Sequence, residues 1–231
     1  MSKSSRTPSK NSKLPAKELR AGEPDKPADD DATPNLSKAA RTREFIREQA
    51  APIFNKQGFA GTSLGDLTVA TGLSKGALYG NFKDKEGIAL AAFGYSMEQI
   101  RKVMTSRLDP LSSNRQKLVE LLNFFGEYVM HPPIPGGCPM INYGVEADDS
   151  QRFMRKVIAR EMQSTMGFIQ RCLEKGTESG EFKSDFEAPA IAQLIFCAVE
   201  GAIVVSRVTG SPAPMAAVVA QCRTMLDRLA G

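Results

Sequence analysis

The chain is poor in histidine, in paired cysteines, in export or membrane-spanning segments and in any alternating strand pattern. His131 is the single histidine in 231 residues, so any His-based catalytic triad depends on it. No Walker loop or HExxH is present. One His and four scattered Cys (Cys138, Cys172, Cys197, Cys222), with no CxxC, give no metal-ligand spacing. The sequence is therefore read as that of a non-enzyme, with no metal and no cofactor. The opening residues, MSKSSRTPSK, are polar and no apolar h-region follows. That predicts a cytoplasmic protein with free thiols. The most apolar run, APAIAQLIFCAVEGAIVV at 188–205, is interrupted by Gln193 and Glu200 and reads as a buried helix, so no membrane partner is expected.

Charge is scarce as a net quantity and uneven in placement. Lys plus Arg number 30 against 26 Asp plus Glu, a net of +4. Residues 37–86 hold eight basic and five acidic groups, whereas 87–231 hold fifteen of each. The basic excess thus sits in a short N-terminal segment ahead of a neutral body. Residues 1–36 have five Pro and no Val, Ile or aromatic residue, so they are expected to form a disordered tail. One reading of that tail is a solvated segment. The other is a basic arm adding phosphate contacts.

From Ser37 onward the apolar spacing is helical. Phe45, Ile46, Ala50, Ile53 and Phe54 form one stripe, with Pro52 predicting a bend and Gly58 a left-handed end. Ser63 and Asp66 form a capping-box-like start for a short helix that ends near Thr71. Gly72-Leu73 makes a turn. Ser74 caps a second short helix to about Asn81, and Asp84 caps a longer one to about Arg107. Further helical patterns cover about 112–131, 149–177, 186–208 and 212–229, separated by PPIPGGCP, ESGEF and TGSPAP. The fold class is all-α, with about nine helices.

Two short helices joined by a Gly turn behind an amphipathic first helix make a helix-turn-helix. Leu64, Leu67, Ala70, Leu73, Leu78 and Phe82 face inward, which leaves Ser74, Lys75, Gly76, Ala77, Tyr79, Gly80 and Asn81 outward. Small and polar groups let a helix backbone descend into a major groove about 12 Å wide.

The stretch GFAGTSLGDLTVATGLSKGALYGNFKDKEGIA, 58–89, closely resembles the DNA-binding signature of the tetracycline-repressor (TetR/AcrR) family of bacterial transcriptional regulators. The match falls on Gly58, Phe59, Thr62, Ser63, Asp66, Gly72, Ser74, Lys75, Gly76, Leu78, Tyr79, Phe82, Lys83, Lys85 and Glu86. GGCPMINYGVEADD, 136–149, is similar to a segment of one subgroup. Gly80 and Asn81 depart from the aromatic residues or His that members often carry, and Thr68 replaces a small residue.

The resemblance implies a domain over 37–86 that binds an operator in double-stranded DNA. Its contacts would come from Arg41, Arg43, Thr62, Ser63, Ser74, Lys75, Gly76, Ala77, Tyr79, Gly80, Asn81 and Lys83. Ser74 and the amides behind it suit a phosphate or base edge. Lys75 reaches a guanine or a phosphate, Tyr79 and Thr62 donate to phosphates, Lys83 meets the backbone, and Arg41 and Arg43 reach the minor groove or backbone. With one basic group on the reading helix, specificity draws partly on DNA shape.

It also implies that 87–231 form a ligand-binding and dimerisation domain of a homodimeric repressor, released by a small-molecule inducer. Candidate pocket residues are Phe124, Phe125, Tyr128, His131, Tyr143, Met162, Met166 and Phe196, and the ten Met suit an adaptable apolar site for a small apolar or aromatic ligand. The small residues Ala198, Gly201 and Ala202, with Val205, suit a close helix–helix dimer seam. Two alternatives stand beside this. One is a thiol or electrophile sensor on the same fold using Cys138, the one thiol outside a helical stripe, assisted by His131. The other is a helical interaction module that does not bind DNA. Cys172, Cys197 and Cys222 read as small core residues.

Overall fold

Helix starts are set by short-range caps in the first half of the chain and by proline in much of the second. The computed structural model describes residues 37–231; the disordered tail expected for 1–36 lies outside them. Ser37, Ser63, Ser74, Asp84 and Ser113 each accept an N–H from the first turn that follows. They open α1 (Lys38–Gly61), α2 (Leu64–Thr71), α3 (Lys75–Asn81), α4 (Lys85–Leu108) and α5 (Asn114–Tyr128). Proline in the first helical positions, whose missing N–H costs nothing there, opens α6 (Pro139–Asp149), α8 (Ala188–Thr209) and α9 (Ala213–Leu229). α7 (Arg152–Glu178) lies between α6 and α8. The described residues are all-α, apart from one isolated antiparallel bridge between Phe182 and Ala230.

Four local expectations need correction. α6 lies inside a stretch that shows no helical stripe, because Pro139 and the Gly-Pro loop before it mask the pattern. The break in α1 falls at Gly58 (φ +71°, ψ 176°), not at Pro52, and residues 59–61 add a further turn beyond it. Because ψ is extended, Gly58 is not the left-handed cap that was anticipated. Phe45, assigned to the buried stripe of α1, is largely exposed.

The core is continuous across the described residues. Ile46, Ala50 and Phe54 of α1 meet Ile88, Ala92 and Phe93 of α4. Leu118 and Leu122 of α5, Ile169 and Leu173 of α7, Ile195 and Val199 of α8 and Leu226 of α9 continue it. α1 packs on both α4 and α6 and so seats the helix-turn-helix on the body. α8 is long and apolar enough to cross a membrane by length and composition. One face of it packs on α7 and α9, burying Ala192, Ile195, Phe196, Val199, Ala202 and Ile203.

Candidate nucleic-acid interface

The first short helix is fixed by a reciprocal cap. Ser63 N–H donates to Asp66 Oδ2 at 2.7 Å, its hydroxyl donates to the same oxygen at 2.7 Å, and Asp66 N–H donates to Ser63 Oγ at 3.1 Å. The Ser63 hydroxyl, followed by its amide, holds the Asp66 carboxyl below the usual carboxylate range. Gly72 then takes the left-handed conformation (φ +66°), which a side chain would resist. Thr71 Oγ1 ties the turn by donating to Leu67 O (2.7 Å) and accepting from Leu73 N–H (3.2 Å). The chain is thereby turned so that α3 starts at Ser74, whose Oγ accepts from Ala77 N–H at 3.2 Å.

α3 buries Leu78 completely, leaves Ala77 and Asn81 half-buried and presents the rest. Ser74, Lys75, Gly76, Tyr79 and Gly80 are exposed, and Tyr79 keeps 44% of its surface. A Cβ on Gly80 would meet nothing within 4 Å, and one on Gly76 would meet only Ser74 Oγ at 3.9 Å. Packing does not require glycine at either place. Each lowers helix stability by roughly 1 kcal/mol relative to Ala.

Other candidate contacts are placed differently. Thr62 is buried and its hydroxyl donates to Gly58 O at 2.7 Å, so it is turned away from any phosphate. Arg43 Nε donates to Asn81 O at 2.8 Å, and its guanidinium lies 5.6 Å from the Phe82 ring centroid. It therefore caps the C-terminal end of α3, where a cation offsets the unpaired carbonyls. Asn81 is turned back, its side-chain amide donating to Ala77 O at 2.9 Å. The Ser63 hydroxyl is engaged in its own cap. Arg41 and Lys83 are exposed, and Ala77 is half-buried. Sequence reasoning assigned no role to Lys85. Its Nζ donates to Thr62 O at 2.5 Å and lies 4.3 Å from the Phe59 ring centroid, joining the start of α4 to the helix-turn-helix.

Below this lies a cavity of about 230 Å³ among α4, α5, the start of α6 and α7. Its walls are largely apolar: Met97, Ile100, Met104, Leu108, Phe125, Tyr128, Met140 and Phe168. Arg101 and Glu161, paired at 2.9 Å, also line it. Of the eight candidate pocket residues, Phe125 and Tyr128 line this cavity and the other six do not. Phe124 packs against Tyr128 and beneath the Arg107 guanidinium. Tyr143 sits between Phe54 and Phe93, where α1 meets α4. Met162 lines a separate groove between α6 and α7, Met166 packs on the core, Phe196 is buried within it, and His131 is exposed.

Cys138 is the plainest correction. It is buried, not exposed, and its thiol donates to Glu200 Oε1 at 3.1 Å. Burial, followed by the neighbouring Glu200 charge, pushes the thiol well above its ordinary range, the reverse of an activated thiolate. Glu200 is 3% exposed, and burial pushes its carboxyl up to about 7. Cys197, read as a core residue, is exposed. On α8, Ala202 faces the chain's own core, while Gly201 and Val205 are exposed and Ala198 is half-buried. Leu194 (55%), Val204, Val205 and Val208 (83%) leave an apolar stripe in solvent. It continues into an apolar groove shared with Ala217, Val218 and Met225 of α9.

Residues 46–92 match the family described as "Bacterial regulatory proteins, tetR family", and residues 115–222 match "Tetracyclin repressor-like, C-terminal domain". Among solved structures, the chain is similar to a TetR-family transcriptional regulator from Cytophaga hutchinsonii. The TM-score is 0.79 with 36% identity, over 84% of this chain and 98% of the other. A TetR transcriptional regulator from Chloroflexus aurantiacus gives a TM-score of 0.81 with 31% identity over the same shares. Among curated relatives, the HTH-type transcriptional repressor DhaR of Mycobacterium sp. (strain GP1) is 24% identical over 179 residues, covering 76% of this chain and 88% of that protein.

Proposed function

We propose that this chain, which belongs to the tetracycline-repressor family and is a transcriptional regulator, acts as a homodimeric repressor released from its operator by a small apolar ligand. The observation that carries this reading is α3. Its apolar residue Leu78 is fully buried, while Lys75 and Tyr79 stand in solvent on a helix whose exposed face is otherwise small. In the bound state Lys75 meets a guanine edge or a phosphate, Tyr79 donates to a phosphate, and Ser74, Gly76, Gly80 and Lys83 lie against the groove and its rim. Acting on DNA, the protein works in the cytoplasm.

A second copy supplies the second reading helix. Half-sites about 34–36 Å apart demand it. The exposed stripe of α8 and its groove with α9 offer the apolar surface that a four-helix seam covers. The cavity supports ligand control because α4 serves both ends of the molecule. Met97 to Leu108 line the cavity, while Lys85 holds the helix-turn-helix. A ligand that moves α4 misaligns the pair of reading helices, by as much as its affinities for the two states differ. The apolar walls, three of them Met, suit a small apolar or aromatic molecule.

The test is a gel shift with the DNA flanking the protein's own gene, across a salt series. Wild type is expected to bind it in preference to random DNA. Lys75→Ala with Tyr79→Phe is expected to weaken binding about tenfold or more, to leave the melting temperature unchanged and to flatten the salt dependence. Equal affinity for random DNA rejects a specific regulator. Light scattering that finds only monomer at micromolar concentration removes the two-half-site mechanism.

A further inference from the structure

Every helical turn that starts afresh exposes N–H groups with no partner of their own. Gly58 creates such a start within α1, leaving the amides of Phe59 and Ala60 as the surplus donors. Both are taken by one distant carboxylate. Phe59 N–H donates to Glu146 Oε1 at 2.9 Å and Ala60 N–H donates to Glu146 Oε2 at 2.9 Å. Glu146 belongs to α6, more than eighty residues away in the chain. The seat admits no side chain at Gly58, where a Cβ would collide with Glu146 Oε1.

A second set of bonds holds the same two helices in register one turn earlier. Asn55 is buried and donates to the carbonyls of Pro135 (3.1 Å) and Gly137 (2.9 Å). The Asn142 side-chain amide donates to Asn55 O (2.8 Å), Asn55 Oδ1 (3.0 Å) and Gly136 O (2.8 Å). Asn142 and Glu146 are four residues apart on α6, so they share one face. The turn that Glu146 grips, 59–61, leads straight into Thr62 and the Ser63 cap of α2. The direction of that turn therefore sets the direction in which α2, and after it α3, leaves α1.

We propose that Glu146 is a positioning residue for operator binding: it caps the broken end of α1 from across the chain and so fixes where α3 points. It acts through α1 and not through any contact with DNA. This role rests on the operator-binding reading above. Charge-assisted bonds to two backbone amides suffice to hold such a turn.

Full-length Glu146→Gln and Glu146→Ala are compared with wild type by fluorescence anisotropy on the gene-flanking duplex across a salt series. Melting curves and amide exchange by NMR accompany them. Both variants are expected to bind about tenfold more weakly. The salt slope should stay at the wild-type value because no phosphate contact is lost, in contrast to Lys75→Ala. The amides of Phe59 and Ala60 should be protected in wild type and exchange rapidly in the variants. Folded variants that bind within about twofold of wild type overturn the proposal. So does rapid exchange of those two amides in wild type, a result that does not depend on the variants folding. If wild type shows no preference for the flanking DNA, the operator reading fails and the positioning role with it. Protection at Phe59 and Ala60 then still decides whether the cap exists.

Discussion

The helix-turn-helix and the body face the same difficulty, backbone donors left over at helix starts, and meet it at different distances along the chain. In α2, α3 and α4 the partner is three residues away: Ser63 with Asp66, Ser74 with Ala77, and Asp84 with Gly87. At the start of α5 a local Ser113 is joined by Glu181, which accepts from the amides of Asn114 (3.1 Å) and Arg115 (2.9 Å) from more than sixty residues away. At the broken end of α1 the partner is Glu146. Local caps let the helix-turn-helix form from its own sequence and leave the outer face of α3 for other use. Distant caps make an element's position depend on the body being assembled.

The comparison can be broken first where the body is densest. Leu173 is fully buried, and Leu173→Ala is expected to cost about 2–5 kcal/mol in urea unfolding. The sequence preference of the molecules that remain folded should not change. A change in preference would show that the two regions are not separable in this way.

Next come two carboxylates with opposite responses to pH. Burial raises Glu200 from an ordinary value near 4.5 to about 7. Between those values the unfolded chain carries the charge and the folded chain resists it, so this group adds stability as pH falls from 7 to 4.5. Glu200→Gln should therefore raise stability at pH 8, by on the order of 1–3 kcal/mol, with the gain shrinking toward pH 4.5. For Glu181, burial works to raise the carboxyl. The Ser113 hydroxyl and the amides of Arg115 and Asn114 outweigh it and hold the group at about 2. Its contribution is complete above pH 4.5 and is lost as pH falls toward 2. Glu181→Gln should flatten the acid limb of a stability-versus-pH curve and leave the neutral region's slope unchanged. Identical acid limbs in variant and wild type would show that the distant cap at α5 carries no energy.

The smallest effect is the most diagnostic for the interface. Gly80→Ala should stabilise the fold by about 0.5–1 kcal/mol, since nothing lies near the added methyl and helix propensity improves. Operator binding should weaken at the same time if that space belongs to the DNA. Thermal melting and gel shift on one preparation check both signs. A gain in both would remove Gly80 from the interface.

Much of this architecture is legible in the sequence, and the exceptions share a cause. The short helices and the outward placement of Lys75 and Tyr79 follow from caps and apolar spacing within a few residues. Arg43 and Thr62 were assigned to DNA because their type and position allow it. Thr62 is buried with its hydroxyl on Gly58 O, four residues back, whereas Arg43 stays exposed and donates to Asn81 O, which folding brings close. Cys138 suits a sensor by sequence because it lies outside every helical stripe, yet α8 brings Glu200 over it. α6 itself is hidden in the sequence because its start is a proline after two glycines.

The sequence by itself determined the all-α class, the helix-turn-helix and the outward face of α3, because those depend on interactions spanning three or four residues. Only the tertiary structure decided how that face is held. The cavity under α4, the burial of Cys138 with Glu200 and the seat of Glu146 on α1 each join residues dozens of positions apart. Such pairings depend on which surfaces meet when the core packs, and no local spacing encodes them.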